Sequence, residues 1–171
     1  MAKPVGLELC HEIEQFYFRE ARLFSDKRYR EWLGTMVDRE VHYWLPIFEE
    51  HYRANRKPPP EFPPAVYDDD YADLEQRIER LETNLVWMED PPSRIRHLIT
   101  NVEAYHTDRP DEIETFSNFL VSRNRREREQ TMLIGGREDR LRNTADGWRL
   151  LRRKIVIPQR VVMDTNLYYL I

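Results

Sequence analysis

A chain of 171 residues, 40% hydrophobic and 34% charged with a formal net charge of −4, has the length of one domain with its own core, so a single domain spanning 1–171 is expected. No run approaches the roughly eighteen apolar residues of a membrane span, and Glu8, His11 and Glu12 stand where a secretory leader would be apolar, so a cytoplasmic protein is expected. A single cysteine, Cys10, excludes an intramolecular disulfide and any thiolate-rich iron–sulfur or zinc site assembled from this chain alone.

In chain order, Leu9, Ile13, Phe16, Tyr17, Ala21 and Phe24 recur at spacings of three and four, which predicts an amphipathic first helix. Ser25-Asp26 is then read as an N-cap for a short second helix over 27–33, ended by Gly34 as the residue past its C-cap. From Met36 to Phe48 the residues become β-branched and aromatic, and Val37, Val41, Tyr43, Leu45 and Ile47 alternate on one face of a predicted strand. Trp44 and Phe48 on the other face imply that it too is partly covered.

Residues 49–70 combine Lys57-Pro58-Pro59-Pro60, Pro63-Pro64 and Asp68-Asp69-Asp70, a composition hostile to helix and sheet. A stiff arm that docks on a neighbouring subunit through Phe62, Val66 or Tyr67 is expected there. Leu74, Ile78, Leu81 and Leu85 restore helical spacing, with Asp73 four residues before Arg77 as a surface pair. After Pro91-Pro92, four strands are predicted at about 94–106, 112–125, 129–143 and 147–157, joined by turns at 108–111, 124–128 and Asp146-Gly147 and pairing antiparallel. Gly135-Gly136 is read as a bulge. Helices followed by long antiparallel strands give an α+β domain with its sheet curled around the helices.

Charge is unevenly spread: residues 120–160 carry twelve Lys or Arg against five acids, and residues 1–119 carry fifteen against twenty-five. These arginines fall in strand-like sequence without a nucleic-acid motif, so a protein-facing surface is expected and no nucleic acid. His11, His42, His51, His97 and His106 are scattered, and the Gly pair lacks phosphate-loop context, so no metal or nucleotide site is expected in this chain. His42 and His97 lie mid-strand, where alternation can turn them into the sheet's concavity. For a free-standing enzyme, an isomerase or dehydratase using that concavity, the only acid–base candidates are Asp38, His97 and Asp108.

The most distinctive string runs Trp87-Met88-Glu89-Asp90-Pro91-Pro92-Ser93-Arg94-Ile95-Arg96-His97-Leu98-Ile99-Thr100-Asn101. It resembles the hallmark of the small β subunits of aromatic ring-hydroxylating dioxygenases: a Trp and acid, Pro-x-Ser-Arg-x-Arg-His, then Asn. The likeness extends through Glu12–Glu20, Ala21-Arg22-Leu23, Asp26 and Trp32-Leu33, through Val41-His42-Tyr43-Trp44-Leu45-Pro46, and to Lys154–Gln159 and Asn166-Leu167. Thr100 replaces the family's frequent Ser. The resemblance implies a cone-like fold of the nuclear-transport-factor-2 (cystatin-like) type, a curved antiparallel sheet around three helices. It further implies an α3β3 heterohexamer whose α subunit carries the Rieske [2Fe-2S] cluster and the mononuclear iron, supplied with electrons through a ferredoxin and reductase. No catalytic, cofactor or metal residue is then expected in this chain. Arg94 and Arg96, which project the same way from alternate strand positions, and His97, Phe62 and Tyr67 are the expected contacts with the α subunit.

Overall fold

The structure, a computed structural model, describes residues 3–47, 64–83, 92–125, 129–158 and 170–171. Its elements are α1 (Leu7–Ser25), α2 (Tyr29–Met36), β1 (Val37–Pro46), β2 (Ala65–Asp69), α3 (Tyr71–Glu82), β3 (Arg94–His106), β4 (Glu112–Arg125), β5 (Glu129–Thr144) and β6 (Gly147–Val156). The six strands form one sheet in the order β2-β1-β6-β5-β4-β3. Neighbours run antiparallel except β1 and β6, which are parallel and meet because the meander from β3 to β6 ends at β1's free edge. The result is an α+β cone: a curved sheet with the N-terminal helices against its inner face.

The apolar stripe of α1 buries Ile13, Tyr17, Leu23 and Phe24, and these join Trp32 and Met36 of α2 and the inward residues Tyr43, Phe119, Val121, Leu133, Leu141 and Ile155 in one core. Strict alternation sets this face. On β4, Thr115, Ser117, Phe119, Val121 and Arg123 are all buried, and so are Leu133, Arg137, Asp139 and Leu141 on β5. The β5–β6 hairpin closes with Thr144 paired to Gly147, whose φ of 101° is the left-handed conformation that the tight loop needs.

Several local expectations are corrected. Asp26 is the C-cap of α1, not an N-cap; α2 starts at Tyr29 after Arg28 and runs through Gly34, since Trp32, Leu33 and Met36 all find core contacts that extend the helix. Ile47 falls beyond β1 and is exposed. Residues 65–69 are a strand, not part of an irregular arm: β2 pairs with β1, Tyr67 opposite Leu45. Arg77 does not pair with Asp73. Asp73 forms a reciprocal capping box with Asp70, while Arg77 makes a bidentate bond to Asp69 at 2.8 and 2.9 Å. Gly135-Gly136 is not a bulge, because the β4–β5 register continues unbroken through Gly136–Asn118 and Gly135–Phe119. A Cβ at Gly135 would sit 2.5 Å from the Phe119 ring and 2.6 Å from the Val156 carbonyl, so this glycine admits the ring across the strand. A bulge lies instead in β3, between Thr100 and Glu103, where Asn101 has φ 54°, and the register also shifts between β5 and β6 at Arg140/Leu141. The rest of the arm with Phe62, Leu85 and the string from Trp87 to Pro91, and Asn166-Leu167, lie outside the described residues.

Candidate functional site

Inside the cone, where an apolar centre would be the simplest filling, four charges meet. Glu20 follows Tyr17 by three residues on the buried stripe of α1; Arg137 and Asp139 occupy inward positions of β5, and Arg153 the inward position of β6 opposite Asp139. Glu20 accepts from Arg137 Nη1 at 2.7 Å, Arg153 Nη2 at 3.0 Å and Trp32 Nε1 at 2.9 Å. Arg153 turns its fork on Asp139, with Nε at 3.1 Å from Oδ1 and Nη2 at 2.8 Å from Oδ2. Tyr17 donates to Asp139 at 2.9 Å and bonds the Thr115 hydroxyl. Two carboxylates and two guanidiniums thus neutralise one another.

Burial alone would raise the pKa of Glu20, but Arg153 and Arg137 outweigh it and hold the carboxyl below its ordinary range. Burial, then the Asp139 charge, pushes the Tyr17 phenol far up, so it stays a donor. Burial lowers the pKa of Arg137, helped by the neighbouring Arg153; for Arg153 the two acids overcome the burial penalty and raise it.

Beside this network the chain's last residues enter the cone. Leu170 and Ile171 are fully buried. The Ile171 backbone oxygen accepts from Tyr43 and from Arg153 Nη1 at 3.2 Å, and Ile171 N–H donates to the Tyr43 hydroxyl at 3.1 Å. His97 Nε2–H donates to the Leu170 carbonyl at 3.0 Å, which fixes the tautomer and leaves Nδ1 to accept from the Ser25 hydroxyl at 3.3 Å. Burial lowers the His97 pKa to about 4, so the ring is neutral at pH 7.

Of the three acid–base candidates, His97 and Asp38 are buried. Asp108 is exposed, and Asp38 sits at the start of β1, accepting from the Glu40 N–H at 2.9 Å and lying 3.4 Å from Arg142. His42 faces outward, bonded to Asp68 at 2.7 Å. The acids at the centre of the network are Glu20 and Asp139, neither of them among the candidates from the sequence; Asp38, Asp69 and Glu112 are buried as well. For Glu20 a signal existed: it is a charge on a helical stripe that is otherwise apolar. Part of the basic half of the chain is also spent inward, since Arg123, Arg125, Arg137 and Arg153 are buried. Among the described residues, no three His, Cys, Asp or Glu side chains form a metal-ligating group.

For the expected partner contacts, the structure separates the candidates. Tyr67 packs within its own core against Tyr43 and under Arg77, and His97 is buried as above. Arg94 and Arg96 are exposed on the outer face of β3. Next to them Leu98, Leu120 and Ile134 align in register across three strands, with Leu98 52% and Ile134 49% exposed, and Met132 beside them at 54%.

Residues 19–164 match the family described as "Ring hydroxylating beta subunit". Among solved structures, a chain of naphthalene 1,2-dioxygenase with indole bound in its active site superposes with a TM-score of 0.89 at 25% identity, covering 96% of this chain and 86% of that one. The β subunit of benzoate 1,2-dioxygenase from Burkholderia mallei gives 0.73 at 21% identity, covering 98% and 99%. ActVI-ORFA from Streptomyces coelicolor shares the fold at 0.65 and 14% identity, covering 90% and 98%. The chain belongs to the ring-hydroxylating dioxygenase β subunits, with the cone fold of that family.

Proposed function

We propose that this chain is the non-catalytic, assembly-forming subunit of a cytoplasmic arene cis-dihydroxylating dioxygenase, a single domain over 1–171 that joins α subunits in an α3β3 heterohexamer. The α subunit would hold the Rieske cluster and the mononuclear iron, receive electrons through a ferredoxin and reductase, and add both atoms of O₂ to the ring. A Rieske centre needs two Cys and two His, and with one cysteine this chain does not fit that donor set.

The observation that carries the structural role is the state of the cone's centre. An acid–base catalyst needs a carboxyl or imidazole within reach of a substrate atom. Here Glu20 and Asp139 are held by buried guanidiniums, Asp38 lies against Arg142 and the Glu40 N–H, and His97 is engaged on both ring nitrogens. The free-standing isomerase or dehydratase reading is therefore not favoured. Contact with the α subunit is assigned to the outer face carrying Arg94 and Arg96 with Leu98, Met132 and Ile134, where exposed cations border exposed apolar side chains.

Co-expression with an α subunit tests this. The chain purified alone should hold no stoichiometric iron and show no oxygenase activity. Arg94→Glu with Arg96→Glu should reduce the yield of complex while the variant chain stays folded. Normal assembly with turnover abolished at full iron content would refute the assignment.

A further inference from the structure

Ser117 on β4 and Arg137 on β5 are register partners, and both side chains are buried on the inner face. Arg137 uses only Nη1 in a hydrogen bond, to Glu20, while its guanidinium carbon lies 5.4 Å from the centre of the Phe119 ring. Among the described residues, its Nε–H and Nη2–H, which lie parallel along one edge of a guanidinium, have no acceptor, and the Ser117 hydroxyl has no partner either. At the same level the third strand widens. Thr100 pairs with Asn118 and Glu103 with Phe116, so both Asn101 and Val102 stand against Ser117. Buried donors without acceptors are rare in folded proteins, and here three such polar atoms belong to register partners on adjacent strands, beside a bulge in the next strand.

We propose that this point is a built binding site for one ordered water molecule, which accepts from Arg137 Nε–H and Nη2–H and donates to Ser117 Oγ. Charge balance selects this occupant. The fork of an arginine matches a carboxylate or another planar oxyanion equally well in shape. Glu20 and Asp139, however, already offset Arg137 and Arg153, so an oxyanion would leave an uncompensated negative charge in a desolvated interior. Water supplies two lone pairs and a proton without disturbing that balance, and three hydrogen bonds is the usual complement of a buried water. The water ties β4 to β5 through side chains at the level where β3 departs from register, and it completes the shell of the arginine that holds Glu20.

A high-resolution crystal structure of the full-length chain, grown in sodium formate as the competing planar probe, decides the matter. The expected result is one spherical peak within about 3.2 Å of all three atoms. It should persist in Ser117→Thr and vanish in Ser117→Val, two side chains of the same shape that differ in the hydroxyl. Planar density for formate on the fork would overturn the proposal, as would a peak retained in Ser117→Val. An Arg137 fork turned onto a protein acceptor with no peak in the wild-type chain would also overturn it, so the wild-type crystal is decisive even where a variant fails to fold.

Discussion

Replacing Glu20 by Leu removes one of the two negative charges in the cone and leaves Arg137 and Arg153 to share Asp139. Glu20 and both arginines have fully buried side chains, so solvent screening does not soften the change. Breaking one side of a buried ion pair costs about 3–5 kcal/mol, because the orphaned charge keeps its desolvation penalty. With a urea dependence of about 2 kcal/mol per molar, the unfolding midpoint should fall by about 1.5–2.5 M without a change in slope. Adding Arg137→Met, which removes the partner along with the acid, should recover most of the loss, since Arg153 retains Asp139. The pH dependence supplies a second reading. Glu20 has its folded pKa lowered below the unfolded value, so its contribution is present above the ordinary carboxylate range and is lost as pH falls through the folded pKa. That part of the acid sensitivity should be absent from Glu20→Leu. A loss under about 1 kcal/mol, or no recovery in the double variant, would show that the guanidiniums are rehydrated in place and that the network does not hold the cone together.

The remaining predictions concern the same inner face. Gly135→Ala should destabilise by about 1–3 kcal/mol, because its Cβ would collide with the Phe119 ring and with a backbone carbonyl that cannot move aside; thermal unfolding measures it, and a companion Phe119→Leu substitution should relieve part of the cost. His97 has a folded pKa of about 4 against an unfolded value near 6.5, so its neutral form is favoured by folding. Its contribution is complete above the unfolded pKa, falls by about 3 kcal/mol as pH drops from 6.5 towards 4, and should be missing from His97→Gln in denaturation at pH 7 and pH 4.5. Asp69→Ala should cost about 1–3 kcal/mol by stripping Arg77 of its bidentate partner beside buried Tyr67, while Asp73→Ala should cost about 1 kcal/mol through the lost cap. Equal costs for the two would contradict the pairing.

Length, periodicity and alternation determine the order of helices and strands. The spans 94–106 and 112–125 are readable because a period-two pattern over many residues has few competing conformations. The same pattern places Arg94 and Arg96 on one face, and the string around them identifies the family before any fold is known. Proline and aspartate content hid β2, since a five-residue strand against β1 draws its stability from the partner strand rather than from its own composition. Gly135-Gly136 was legible as unusual but not as the seat of a ring, because Phe119 reaches it only through the register of β4 on β5. The centre of the cone lay furthest from reach. Glu20 and Arg153 are 133 residues apart and Glu20 and Arg137 are 117 apart, so their pairing is not visible until the sheet closes over α1. Burial is a property of that closure, and only the tertiary structure turns four separated charges into one neutral, desolvated cluster.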